Sequence, residues 1–255
     1  MKEKLLKYKF VFEELVKRDF KKKYKGTVLG MGWSVLSPLL SLLIMKLIFT
    51  NFLGRDTPHY TTYLFCGNLI FSYFREASKM GMSSLRSNAS IFTKVTVPKS
   101  LFLFSRNVQT LINFGLTLPL LFLFCAFDHI TFTWKFFMLI YPILTLIILN
   151  LGVGLILSAL YVFFKDMDYL WNIFLMLLNY MSAIFYRADQ LGPAMQHVLQ
   201  LNPVYLHIYY FRCITIDGFI PSPLFHLAML AYVLVIFAIG ALIYKKYNAQ
   251  FLYYV

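Results

Sequence analysis

The sequence predicts an all-α polytopic membrane protein: six transmembrane helices, an N-terminal amphipathic interface helix, and re-entrant helices before the last span. Three observations lead there. Hydrophobic residues make up 60% of the 255 and charged residues 14%, whereas a soluble domain is about half apolar and about a quarter charged. Six runs of roughly the ~20 residues that cross a bilayer carry no charge. The basic residues, with a net charge of +13, gather in segments that fall on one side once those runs alternate.

The elements follow in chain order, within one domain of ordinary length. Residues 1–31 form a cytoplasmic interface segment, 32–244 a six-span membrane region and 245–255 a cytoplasmic tail. Residues 5–25 read as an amphipathic helix at about 100° per residue. Leu5, Tyr8, Val11, Phe12, Leu15, Val16 and Phe20 share one half of the wheel, opposite Lys7, Glu14, Lys17, Arg18, Lys21 and Lys25; Phe10 is out of place. A basic face backed by aromatic and aliphatic residues is the pattern of a helix lying on a membrane. A helix packed on a protein partner has the same pattern, and one helix can do both.

The uncharged runs are 26–45, 57–74, 107–127, 136–164, 169–186 and 224–244. Residues 190–211 are also uncharged but hold Gly192, Pro193, Gln196, Gln200, Asn202 and Pro203. Backbone broken this often survives at membrane depth only where protein or a water-filled cavity covers it. One or two short helices that dip in and return are expected there. The longest inner link, 83–106, should hold a short helix capped by Asn88 or Ser90 and ended before Pro98. Its apolar residues Ile91, Phe92, Val95 and Val97 invite either a soluble partner or the lipid surface.

Eighteen of the 24 Lys and Arg residues, ten of them within 1–31, then lie on one side. The excess of basic residues predicts that this side, with both termini, is cytoplasmic. It also accounts for the charge without nucleic acid. No signal peptide is expected, since the first thirty residues are charged throughout.

The chemistry search is mostly negative. No GxxxxGK[ST], HExxH, CxxC or GxSxG occurs, so the chain has no phosphate loop of its own. Cys66, Cys125 and Cys213 are too few and scattered for a disulfide framework or a metal pair. Asp166 and Asp168 have the DxD spacing of a metal-dependent sugar transferase, but a tight turn between two helices suits them better. Gly26/Gly30 and Gly152/Gly154 read as close helix packing. Arg75 and Glu76 lie near the inner end of span two, point about 100° apart and need different partners. No chain of Asp, Glu and His crosses the spans, which argues against an ion-coupled transporter. Aromatic residues reach 19%, as in an interfacial belt or a path for sugars.

Four stretches carry a family resemblance. Arg18-Asp19-Phe20-Lys21, followed by Tyr24-Lys25-Gly26-Thr27-Val28-Leu29-Gly30, Trp33-Ser34 and Pro38-Leu39, resembles the start of span one in permeases of ABC (ATP-binding cassette) exporters. The branch is the one that moves O-antigen, capsular polysaccharide and teichoic acid. Asn88-Ala89-Ser90-Ile91-Phe92-Thr93-Lys94-Val95 with Pro98-Lys99-Ser100 is similar to its coupling segment, Phe164-Lys165-Asp166-Met167-Asp168 to the turn after span four, and Asn202-Pro203 with Arg212 to the segment before the last span. One departure is Ser182-Ala183-Ile184-Phe185-Tyr186, where the family often has a proline, which puts the bend of span five in question.

The resemblance implies a homodimer in a bacterial cytoplasmic membrane, paired with a dimer of separate ABC ATPase subunits that hold the ATP and Mg, and no cofactor or enzyme activity in this chain. It implies a lipid-linked glycan as cargo. The ATPase-coupling loop would be Asn88, Ala89, Ile91, Phe92, Lys94, Val95 and Pro98. Arg18, Lys21, Lys22, Lys23 and Lys25 would draw in the carrier's diphosphate. Trp33, Phe71, Tyr73, Phe74, Tyr180, Phe185 and Tyr186 would line the glycan path. Two alternatives stand beside this: a membrane enzyme acting on lipid-linked sugars through Asp166 and Asp168, and a permease of a drug-exporting ABC branch.

Overall fold

The structure, a computed structural model, describes residues 2–53, 58–94 and 97–254, with side chains at 8–49, 58–91, 93–94 and 97–254. Helices make up its regular structure, with no strand among the described residues. α1 (Lys2–Tyr24) is followed by α2 (Trp33–Leu53), α3 (Tyr60–Ser83), the short α4 (Ala89–Phe92), α5 (Ser100–Phe127), α6 (Ile140–Phe163) and α7 (Met167–Tyr180). α8 (Pro193–Gln200), α9 (Pro203–Thr215), α10 (Pro223–Tyr247) and α11 (Phe251–Tyr254) complete the chain.

Among the described residues, four stretches are long and apolar enough to cross a membrane: Gly30–Phe49, Ser100–Phe127, Trp134–Phe163 and Pro223–Tyr247. The two other expected spans differ. α3 has 24 residues, about 36 Å at the helical rise, but carries Arg75, Glu76 and Lys79 in its C-terminal half. α7 has only 14 residues, about 21 Å, against a hydrocarbon core of ~30 Å. The uncharged run 169–186 therefore contains a helix and then six residues of irregular backbone. Ala183 there has a φ of 48°, so the bend exists without the proline.

α3 runs through the middle, with α2, α5, α6, α7 and α9 packed around it. Its Phe65, Ile70, Phe71, Tyr73 and Phe74 are buried. α6 and α10 cross closely because both crossing points are glycine: a Cβ on Gly240 would sit 2.5 Å from the Gly152 carbonyl oxygen. Gly81 and Gly154 do the same for α3 and α6, at 3.0 Å. The expected packing role of Gly152 and Gly154 holds. That of Gly26 and Gly30 does not; both have left-handed φ (80° and 51°), and a Cβ added to either would have nothing within 4 Å. They turn the chain between α1 and α2, where glycine alone is unstrained.

The expected apolar face of α1 is present, but it packs on this chain's own α5. Leu15 joins Leu85, Phe102, Leu103, Val162, Tyr244 and Phe251 in one cluster, with Val11 against it. Leu15 and Phe251 thus bring both ends of the chain to the same end of the bundle. The opposite end holds α8, α9 and the turns around 128–139 and 181–192. As expected, the broken stretch 190–211 forms two short helices. Proline opens α8, α9 and α10, where its missing N–H costs nothing. Ser222 Oγ caps α10 by accepting from the Phe225 N–H at 3.3 Å.

α2 and α7 are among the helices thinly covered by their own chain. α2 exposes Leu43, Ile44, Leu47 and Ile48; α7 exposes Leu170, Ile173, Met176 and Leu177.

Candidate functional site

Three features carry chemistry. The first is a buried charge node at the α1 end. Asp19 follows Val11 and Leu15 at steps of four, so helical geometry places it on the packed face. Its side chain is 1% exposed, and a buried carboxylate needs partners. Arg18 Nε and Nη2 donate to Asp19 Oδ1 at 2.9 and 2.7 Å. Arg106 Nε, from α5, pairs with Oδ2 at 3.3 Å. Gln109 Nε2 donates to the Asp19 carbonyl at 3.0 Å. Arg18 Nη2 also reaches Asn88 Oδ1 at 2.6 Å, Asn88 Nδ2 donates to the Ser84 carbonyl at 2.8 Å, and Arg106 Nη2 donates to Ser87 Oγ at 3.4 Å. The node ties together α1, the turn that launches α4, and α5.

The second is a cavity of about 860 Å³ between α3 and α7. Ser72, Arg75 and Lys79 line it from α3, and Asp168, Asn172 and Asn179 from α7. Those intervals of three, four and seven put a polar stripe on each helix face. Glu76 also lines it and accepts from Lys23 Nζ at 2.6 Å and Asn113 Nδ2 at 3.0 Å, while Arg75 lies 5.9 Å from the Phe71 ring centroid. The two neighbours have different partners, as their helical phase requires. Among the described residues, neither Arg75 nor Lys79 pairs with a carboxylate. Ionisable groups in membrane-embedded helices mark function by default.

The third is the way the opposite end is held. Carbonyls left over where α7 stops, from Met181 and Ala183 to Tyr186, are met by protein side chains. Arg212 Nη1 donates to Ala183 O at 2.8 Å, and Nη2 to Ile184 O and Tyr63 O at 3.2 Å. Asn202 Nδ2 donates to Met181 O at 3.0 Å while its Oδ1 caps α9 from the Val204 N–H at 2.9 Å. Tyr60 and Tyr63 hydroxyls donate to Phe185 O and Tyr186 O at 2.8 and 2.6 Å. Irregular backbone at depth is tolerated under that condition. Beside this lock lies a second cavity of about 660 Å³, lined from α8, α9 and α10.

The residues expected to act divide among these features. Of the coupling loop, Lys94 and Pro98 are exposed, Ala89 and Ile91 lean on the lower apolar cluster, and Asn88 is buried in the node. Asn88 positions the turn; it offers no surface to a partner. The Phe92 side chain and Val95 lie outside the described residues. Of the basic group, Lys21, Lys22 and Lys25 are exposed, whereas Arg18 is engaged by Asp19 and Asn88, and Lys23 by Glu76. The aromatic path needs correction. Tyr73 stacks on Phe114 at 4.7 Å and Phe74 faces Trp171 at 6.3 Å, so both are core. Phe71 is 2% exposed, with its edge on the α3–α7 cavity. Phe185 packs on Phe49 at 4.7 Å. Trp33 and Tyr180 are exposed and Tyr186 half-buried.

Asp166 and Asp168 bracket the start of α7, in a tight turn after α6. No group of metal-ligating side chains occurs among the described residues. Asp19 went unassigned in the sequence, although an acid at helical spacing along an apolar face was its signal.

Residues 11–216 match the model of the ABC-2 type transporter family. The chain is 32% identical over 117 residues to the O-antigen export system permease protein RfbA of Myxococcus xanthus, covering 46% of this chain and 45% of the relative. It is 30% identical over 118 residues to a protein of the same name from Klebsiella pneumoniae, covering 45% and 46%. A second Klebsiella pneumoniae protein of that name is 26% identical over 216 residues, covering 82% of each. The matched region thus spans about half the length of the first two relatives and most of the third. With the family model running from the middle of α1 past the end of α9, the chain belongs to the ABC-2 type transporter family of membrane proteins.

Proposed function

We propose that this chain is the transmembrane subunit of an ATP-driven exporter that moves a lipid-linked polysaccharide across the cytoplasmic membrane. It works as a homodimer beside a dimer of separate ATPase subunits. The observation that carries the reading is the polar cavity between α3 and α7, where Arg75 and Lys79 share the wall with Glu76 and Asp168 and, among the described residues, form no ion pair with either. A diphosphate headgroup is the ligand such cations suit, and the relatives' names point to glycan export. The exposed Lys21, Lys22 and Lys25 attract the anionic headgroup toward the inner face. The uncovered faces of α2 and α7 meet the second copy and border the path.

Coupling runs through the α1 end. ATP and Mg sit on the partner subunit, which presses on α1 and on the Lys94–Pro98 side of the inner link. The Asp19 node makes α1, the turn at 84–88 and α5 move as one body. Charge reversal at Lys94 combined with Ile91→Ser is expected to leave ATP turnover by the partner intact and to lower export. Unchanged export would exclude the inner link as the contact.

The direct test is complementation. A strain lacking the chain should lose surface polymer while its synthesis continues. Arg75→Glu with Lys79→Glu should restore less than about a tenth of it, because two charge-assisted contacts are worth ~3 kcal/mol or more together. Wild-type polymer levels from that variant would refute the cavity as the headgroup site. Asp166→Asn with Asp168→Asn should leave sugar transfer unaltered; its loss would favour a membrane enzyme instead.

A further inference from the structure

The cavity at the opposite end of the bundle has no part in the headgroup site or in the coupling node. Its volume, about 660 Å³, is that of a small-molecule site. Tyr205 and Tyr209 present rings from α9 with centroids 6.2 Å apart. Gln196 and Gln200, one helical turn apart on α8, line it with Asp217 from the turn after α9. Gln196 Nε2 is held by the Leu191 carbonyl at 2.8 Å. The Gln200 side chain makes no hydrogen bond among the described residues.

The charges argue against an anion. Arg187 is tied to Asp189, Nε to Oδ1 at 3.0 Å, and that contact holds the Asp189 carboxyl below its usual range. Arg212 is 6% exposed and spends its two terminal nitrogens on backbone carbonyls. Its Nε is buried and has no hydrogen-bond partner among the described residues. Asp217 is left without an ion pair among the described residues, and burial raises its carboxyl above the ordinary range. The balance is Arg187 paired with Asp189, Arg212 bonded to neutral carbonyls, Asp217, amides and phenol rings, so the formal charges cancel. A phosphate would find Arg187 held by Asp189 and both terminal nitrogens of Arg212 already on carbonyls. A purely apolar guest would strand the amides and the carboxylate without partners. A ring with hydroxyls on its rim and C–H bonds on its face satisfies both sets.

We infer that this cavity binds uncharged sugar units of the exported chain on the outer side of the bundle, stacking them on Tyr205 and Tyr209 and taking their hydroxyls at Gln200 and Asp217. The inference rests on the export reading above and adds a second, outer contact to it. Such a site holds the leading sugars after they pass α7 and biases the chain against sliding back.

The test uses the full chain with its ATPase in polymer-producing cells. The photo-crosslinking residue p-benzoylphenylalanine replaces Phe225, on the cavity wall, or Leu234, on the exposed face of α10. Adducts are probed with antiserum to the cell's own surface polymer and extracted with organic solvent. The expected result is polymer-positive adducts at 225 and none at 234, reduced at least fivefold when Gln200→Ala and Tyr209→Ala are added at unchanged membrane abundance. Equal labelling at both positions, no labelling at 225 while export runs, or adducts that are lipid alone would overturn the site. Surface polymer that persists in a strain lacking the chain overturns the export reading instead.

Discussion

Asp19→Ala is expected to leave a poorly populated and inactive membrane protein. The substitution removes the only carboxylate from a cluster in which Arg106 is 11% exposed and has no other ion pair among the described residues. Stranding a buried charge in this way costs about 3–5 kcal/mol, a large part of the 5–15 kcal/mol that holds a typical domain together. The loss should appear as reduced abundance and a lower melting temperature in detergent. Asp19→Asn keeps the shape but not the charge, and should fall between the two. The informative variant is Asp19→Ala with Arg106→Met, in which neither charge remains. Its abundance should recover toward wild type, because replacing both partners by apolar groups is far cheaper than removing one. Export should stay low, since Arg18, which donates to Asn88, loses the carboxylate that orients it. Recovery of both abundance and export would reduce the node to packing. An Asp19→Ala protein as stable as wild type would contradict its burial.

Gly240→Leu is expected to abolish assembly. The first carbon of any side chain at 240 meets the Gly152 carbonyl oxygen at 2.5 Å and Leu155 Cβ at 3.1 Å. Overpacking an ordinary core costs about 1–3 kcal/mol because side chains yield. Here the obstacle is the backbone of α6, so the two helices must separate along their contact. Gly152 is under the same constraint, 2.8 Å from the backbone of Phe237. Gly115→Ala is the matching control. Its added carbon has nothing within 4 Å, and alanine is the better helix former by ~1 kcal/mol. Full-length protein in the membrane fraction should vanish for Gly240→Leu and persist for Gly115→Ala. Normal levels of the first would mean that α6 and α10 do not cross as closely as their glycines allow.

Several features were legible before any coordinate. Val11, Leu15 and their neighbours marked the packed face of α1 because helical phase is local. Gly192, Pro193, Asn202 and Pro203 marked the broken segment because each limits its own backbone. The Gly26 and Gly30 pair misled, since the spacing of a packing motif does not distinguish a helix from a turn with left-handed φ. The aromatic path misled for a related reason. Phe71, Tyr73 and Phe74 follow one another around α3, and aromatic density says nothing about which side of a central helix meets a neighbour.

The amino-acid sequence by itself determined that the chain lives in a membrane, where its charge-free runs lie, and which end carries the basic residues. These are properties of composition along one dimension, set by the length of helix that crosses a hydrocarbon layer. Only the tertiary structure decided where α7 stops, what Asp19 holds and which cations stay without a carboxylate. Residues 169–186 carry no charge, no glycine and no proline, so nothing local ends the helix at Tyr180. The freed carbonyls are stable there because Arg212, Asn202, Tyr60 and Tyr63 arrive from distant parts of the chain to accept the role of water.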